Sequence, residues 1–310
     1  MAKVVLTGGA GFIGSHIAEE LLSRGHSVTI IDDLSSGCRE NVPAGCGLEV
    51  MDIRSPEART FLSKLEPEYV VHAAAQMSVR LSMEDPAFDT HVNVYGLINL
   101  LQAFHGRKQP FFVLLSTGGA IYGEQETFPA AENHPIVPAS VYGLAKYVSE
   151  LYLDLWRRQF GLRYAALRLA NVYGPRQNPH GEAGVVAIFC QKLFLGETPL
   201  INGSGEQTRD FVYVKDVAAA VGSVVAESVE GTFNIGTAVE TSVNRLYEAI
   251  SAACEVNIQA AKGPAKAGEQ MRSCIDYGRA KAAFGWSPRT GLSKGIELTA
   301  EFFRRQAKEK

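Results

Sequence analysis

Short apolar runs alternate with longer stretches of helical periodicity along the first half of the chain. Lys3-Val-Val-Leu-Thr7 is too short for anything but a strand, and after a glycine-rich turn Phe12 to Arg24 carries Ile13, Ile17, Leu21 and Leu22 at helical spacing. His26-Ser-Val-Thr-Ile-Ile31 reads as a second strand, ended by Asp32, and Leu48-Glu-Val-Met51 as a third. A helix from about Pro56 to Leu65, a strand Tyr69–His72 and a long helix from about Pro86 to His105 follow. Phe111-Phe-Val-Leu-Leu115 is apolar throughout, as a central strand covered on both faces must be. Tyr142 to Lys146 falls on a helix, and Tyr164 opens another strand. Such alternation predicts an α/β fold on a doubly wound parallel sheet.

Beyond residue 170 the pattern changes. Gly181 to Phe189 starts a helix, Asp216 stands ahead of the apolar run Val217 to Val225 where it can cap that helix, and an amphipathic helix from about Leu292 to Arg305 closes the chain. No linker rich in Gly, Pro or Ser divides the halves, so residues 171–310 are expected to form a smaller lobe interleaved with residues 1–170.

With 310 residues, 46% hydrophobic and 20% charged, the chain can bury a large core. A net charge of −3 offers no sequence-wide basic field and argues against a nucleic-acid partner. No apolar run approaches membrane length, and the N-terminal strand is interrupted by glycines rather than built like a signal peptide. Cys38, Cys46, Cys190, Cys254 and Cys274 lack paired spacing, which predicts a reduced, cytoplasmic setting and no metal site.

The turn after the first strand carries chemistry. Gly8 lets the chain turn tightly, Gly11 removes a side chain where a pyrophosphate must approach, and Gly14 lets the helix pack close to the sheet. The N–H groups at the start of the helix then hold the phosphates. Asp32, about 20 residues on, takes the place of the ribose-binding acid of a Rossmann-type fold; with no Arg beside it, NAD is favoured over NADP. Tyr142 and Lys146, four apart, share one helix face. A tyrosine is a poor base at neutral pH, and a nearby ammonium stabilises its phenolate. Without the glycine turn and Asp32, the pair would read as a surface helix.

The spacing Gly8-x-x-Gly11-x-x-Gly14, with Phe12-Ile13 inside it, resembles the extended branch of the short-chain dehydrogenase/reductase superfamily, whose members act on nucleotide sugars. Arg168, Asn171, Tyr173, Gly174 and Pro175 match that branch's Arg-x-x-Asn-Val-Tyr-Gly-Pro signature, and nearly the full chain resembles the UDP-glucose 4-epimerase family. The resemblance implies a bound NAD contacted by Phe12 and Ile13, by Asp33, Leu34, Ser36 and Gly37 after the ribose acid, and by the small residues Ala73, Ala74 and Ala75. It places Asp52-Ile53 beside the adenine, although these residues also simply precede a helix start, and makes Asn93 a brace for the catalytic site. Asn171, Val185 at a helix start, Asn202 and Arg209 would contact the UDP-sugar, with Arg168 structural. Lys266 stands where the family usually has a phosphate-binding Arg, Glu269 would accept the uridine ribose, and the small Ser273 would leave room at the sugar's 2-substituent.

The implied reaction interconverts UDP-glucose and UDP-galactose, and with that room also the N-acetylhexosamine pair, through a transient 4-keto sugar, with Tyr142 as base and Lys146 as its partner. Homodimerisation through the helices of Asn93 and Tyr142 is implied as well. One position departs from the pattern: Gly118 replaces the family's Ser or Thr. Thr117 is the first candidate for the assisting hydroxyl and Ser116 the second. A UDP-glucuronate 4-epimerase stays open, while a dehydratase or decarboxylase lacks its carboxylates at Gly118-Gly119. A non-enzymatic NAD-binding protein is opposed by the intact Tyr142 and Lys146.

Overall fold

The glycine turn, the strand ends and the helix of Tyr142 and Lys146 converge because one parallel sheet orders them. The computed structural model describes residues 1–180, 184–265 and 270–308. In chain order, the first half runs β1 (Lys3–Thr7), α1 (Phe12–Ser23), β2 (Ser27–Asp32), β3 (Gly47–Val50), α2 (Pro56–Leu65), β4 (Tyr69–His72), α3 (Val79–Glu84), α4 (Pro86–Thr90), a wide π-turn (His91–Tyr95), α5 (Gly96–Gln102), β5 (Phe111–Thr117), α6 (Val141–Phe160) and β6 (Arg163–Leu169). The second half contributes β7 (Asn171–Tyr173), α7 (Val185–Phe194), β8 (Leu200–Asn202), β9 (Thr208–Tyr213), α8 (Val214–Glu227), β10 (Gly231–Ile235), β11 (Glu240–Ser242), α9 (Val243–Cys254), β12 (Ala261–Gly263), β13 (Arg272–Ser273), α10 (Gly278–Phe284) and α11 (Leu292–Lys308).

Seven strands form the main sheet in the order β10-β6-β5-β4-β1-β2-β3, every pairing parallel. The order reverses between β1 and β4, the crevice in which such sheets take ligands. β5 is buried at all seven positions, as its unbroken apolar run requires. The last strand of this sheet, β10, comes from beyond residue 170, so the second half of the chain is knitted into the first. A smaller sheet is centred on β9, which pairs with β7, β11 and β13. Among the described residues no helix is long and apolar enough to cross a membrane.

Several boundaries differ from the sequence expectation, each for a local reason. The helix expected over 86–105 is three pieces: a π-turn around Asn93 separates α4 from α5, and the last residues, to Gly106 at φ +69°, wind off in tight turns. Expected to begin at Gly181, α7 starts at Val185, and residues 181–183 lie outside the described residues. Asp216 does not cap its own helix. It lies inside α8 and accepts hydrogen bonds from the backbone N–H of Arg289 and Thr290, fixing the chain ahead of α11.

Two buried histidines make the fold sensitive to acid. Burial, helped by the Lys146 charge, holds His72 at about 3, and burial with Arg176 holds His16 at about 4, against an ordinary value of 6.5. Below that ordinary value the unfolded chain binds protons that the folded chain refuses, so stability falls as pH drops from 6.5 towards 4. The slope is about 1.4 kcal/mol per pH unit for each histidine. Urea unfolding of His72→Asn across this window is expected to show a slope smaller by one histidine's share; an unchanged slope would contradict the assignment.

Candidate active site

At the glycine turn, Gly8 has φ +71° and its hydrogen side faces the backbone of Ala73 and Ala74, where a Cβ would come within 2.6 Å of the Ala74 nitrogen. Gly14 packs its own hydrogen onto the carbonyl of Gly8, at 2.0 Å from a would-be Cβ, which is the close helix-to-turn approach expected of it. A Cβ on Gly11 would meet only the Gly8 carbonyl, at 3.2 Å, so the turn is open on its other side. Ala10 is held from both ends: its N–H donates to Asp32 Oδ2 at 2.9 Å, and its carbonyl accepts from the Cys38 N–H and Asn41 Nδ2.

Asp32 also accepts the Leu34 N–H on Oδ1, so each oxygen keeps lone pairs for further donors; burial pushes its carboxyl up. Asp33 turns instead to the N–H and hydroxyl of Ser35, while Ser36 and Gly37 continue the loop, Gly37 lying against Ala10. Asp52 is clasped by the Arg54 guanidinium, which holds its carboxyl below the usual range. Ile53 is buried against Gly96. Phe12 and Ile13 open α1 and pack against the core. Ala73 and Ala74 are tied to Thr7, whose hydroxyl meets His72 Nδ1 at 2.7 Å.

The helix of Tyr142 and Lys146, α6, is locked at several points. Ser140 caps it by accepting the Gly143 N–H, and Ser82 of α3 accepts the N–H of Tyr142. Gly143 brings the first turn against the turn that follows β5: a Cβ there would lie 2.5 Å from the Ala120 carbonyl. Lys146 is buried and donates from Nζ to the Leu115 carbonyl at 3.0 Å. Burial lowers its ammonium to about 8, against the raising effect of the Asp89 and Glu150 carboxylates.

The expected depression of the Tyr142 phenol by Lys146 is absent from the protein by itself. Burial, and then the Asp89 charge, push that phenol up, and the ammonium lies over the ring, 6.0 Å from its centroid. Asn93 links the π-turn to Gln76, to Asp89 and to α6. Its amide joins the Gln76 backbone at both ends and Asp89 Oδ1, and its carbonyl, on the π-turn, accepts from Ser149 one turn beyond Lys146.

The structure separates the two candidate hydroxyls. Ser116 donates to Glu150, inside a buried cluster in which Arg168 grips the same carboxylate and Tyr122; Arg168 is structural, as expected. Thr117 Oγ1 accepts the Ala120 N–H and lies beside Gly119, whose missing side chain also leaves room for Asn171 Oδ1. At Gly118 a Cβ would sit 2.6 Å from Ile275 Cδ1, so Ile275 fills the space a serine would need.

The smaller sheet gathers the other candidates. Asn171 on β7 pairs with Phe211 and Ser273 on β13 with Arg209, so β9 draws all three together; Ser273 is buried, and Arg209 Nη1 donates to the Thr208 carbonyl. Asn202 lies on β8, apart from that sheet, with its carbonyl accepting from Gln207, and Val185 opens α7. Lys266 and Glu269 lie outside the described residues. Asp89, Gln76, Ser82, Glu150 and Ile275 escaped the sequence reading; only the four-residue step from Asp89 to Asn93 carried a signal there. Among the described residues no group of three His, Cys, Asp or Glu side chains could hold a metal ion.

The model of a family described as NAD dependent epimerase/dehydratase matches residues 4–236. A putative UDP-glucose 4-epimerase of Methanocaldococcus jannaschii is 41% identical over 97% of this chain and 98% of its own. The crystal structure of Thermotoga maritima UDP-glucose 4-epimerase with UDP-glucose superposes with a TM-score of 0.93 at 42% identity, covering 98% and 99% of the two chains. That of the Thermus thermophilus enzyme with NAD gives 0.92 at 41%, covering 97% and 98%.

Ile275 is wedged between Gly118 and Gly236, so Gly118→Ser is expected to destabilise the protein by about 1–3 kcal/mol through overpacking. Urea unfolding with Ile275→Ala in the same chain checks this: the pair should cost less than the sum of the single changes.

Proposed function

The chain belongs to the NAD dependent epimerase/dehydratase family, and on that premise we propose that it is an NAD-dependent UDP-sugar 4-epimerase. The observation that carries the reading is the buried Lys146 beside Tyr142, held against the carboxyl end of β5 with Thr117 and Asn171 facing each other across Gly119. The residues fit the dinucleotide: the turn at Gly11 is open, the helix start supplies N–H groups, and Asp32 keeps lone pairs for ribose hydroxyls. Bound NAD supplies a hydride acceptor that also returns the hydride, so the reaction is redox neutral.

The protein's own part is proton handling and orientation. Tyr142 takes the proton from the sugar O4, and the phenolate it needs in order to do so requires positive charge nearby, because burial alone opposes it. Lys146 spends one N–H on Leu115 and has two left for the cofactor ribose. Thr117 bonds O4, since Ser116 is committed to Glu150. Asn171 and the Arg209 guanidinium orient the diphosphate sugar from the small sheet, with residues 171–310 as the substrate lobe. Buried, small Ser273 leaves room beside the sugar's C2, favouring tolerance of UDP-N-acetylglucosamine as well as UDP-glucose.

A cytoplasmic homodimer completes the reading. Leu144, Leu151 and Leu155 expose apolar surface along α6, next to exposed Phe88 and Tyr95. Leu151→Glu is expected to convert a dimer to monomer in light scattering after gel filtration; a wild-type monomer would remove the dimer.

NMR of the sugar protons decides the main reading. Purified protein without added cofactor is incubated separately with UDP-glucose, UDP-N-acetylglucosamine and UDP-glucuronate. Inversion at C4 of the first two is expected, and loss of water or carbon dioxide would refute it. Tyr142→Phe should lower kcat by about 10²–10⁴-fold with UDP-sugar affinity nearly unchanged. Thr117→Val should lower it by roughly tenfold or more, the worth of a hydrogen bond to a charged group.

A further inference from the structure

Asp89, on α4, is fully buried, an unusual place for a carboxylate. Both of its hydrogen bonds fall on one oxygen: Oδ1 accepts Gln76 Nε2 at 2.7 Å and Asn93 Nδ2 at 3.0 Å. Oδ2 is buried with no hydrogen-bond partner. Two neutral amides do not cancel a buried charge: burial pushes the Asp89 carboxyl up, and the cation that acts against this is Lys146. α4 packs against α6, whose charged inward groups are Lys146 and Glu150. Glu150 is neutralised by the Arg168 fork and by Ser116, and His72, on β4 nearby, is held neutral by burial. Asp89 is therefore the uncompensated negative charge acting on Lys146, and it acts on the Tyr142 phenol as well.

We propose that Asp89 is a positioning residue of the epimerase site: its buried carboxylate keeps the Lys146 ammonium charged and seated beside Tyr142, and Asn93 and Gln76 serve to hold that carboxylate in place. The inference rests on the epimerase reading for its catalytic consequence and on geometry for the electrostatic one. Because both amides donate to Oδ1 alone, Asp89→Asn can keep both hydrogen bonds while removing the charge, at the cost of placing an amide NH2 where Oδ2 has no partner. A purely structural Asp89 would leave titrations where they were.

The test is a pair of titrations on the full chain. In protein carrying carbon-13 at the lysine ε-carbons, with the Lys146 signal identified by its loss in Lys146→Met, the wild-type midpoint is expected near 8. In Asp89→Asn it should move down by about one pH unit. Both limbs of the kcat profile should also move to lower pH, since losing the negative charge eases loss of a proton from Tyr142 and from Lys146 alike. A Lys146 midpoint unchanged in the variant, or a kcat profile lowered in height with its limbs in place, overturns the inference. Should Asp89→Asn fail to accumulate folded, Asp89→Ser is read the same way. Wild-type protein that leaves C4 unconverted would refute the epimerase reading, and the lysine titration would still decide the electrostatic role of Asp89.

Discussion

Burying an ammonium beside a phenol is the constraint on which this site depends. A lysine taken out of water loses its proton unless carbonyls and counter-charges replace the lost hydration. Here the carbonyl is that of Leu115, on a strand covered on both faces, and the counter-charge comes first from Asp89 on α4. None of these holds unless α6 lies tightly on the strand end. That closeness comes from Gly143 over the Ala120 carbonyl, Ser82 on the Tyr142 N–H and Ser149 on the carbonyl exposed by the π-turn. The widened turn at Asn93 thus has a structural reason: it frees a carbonyl that links two helices.

The same economy runs through the glycine turn. Gly8, Gly14 and the alanines after β4 bring three backbone segments into contact at the point where the strand order reverses, leaving Gly11 open outward. Asp32 closes this corner from β2 by holding Ala10 and Leu34, so the acid that would meet a ribose also fixes the turn that would meet the phosphates. Opposite, β9 draws β7 and β13 together, which sets Asn171, Arg209 and Ser273 on one small sheet although about a hundred residues separate the first from the last. Asp210, next to Arg209, ties that sheet to the N–H groups of Thr237 and Ala238, directly after β10 of the main sheet. The two sheets are thereby joined at the site itself.

Local chemistry made much of this legible beforehand. Strand runs, the glycine spacing, Asp32 at the end of β2 and the four-residue step from Tyr142 to Lys146 are short-range features, and periodicity or backbone sterics dictate them wherever the rest of the chain goes. Hence the sequence by itself determined the doubly wound sheet, the turn and the helix that carries Tyr142 and Lys146. The tertiary structure decided what depends on distant partners. Ser116 and Thr117 are adjacent and chemically alike, and only the arrival of Glu150 from α6 commits one and leaves the other beside Gly119. Gly118 reads as a missing hydroxyl until Ile275, far along the chain, is found in its place. Asp89 looks like one more helix acid, and Asp216 like a cap, until folding buries the first near Lys146 and turns the second towards Thr290. Such roles are set by burial and by charges brought across the fold, quantities that no window of neighbouring residues contains.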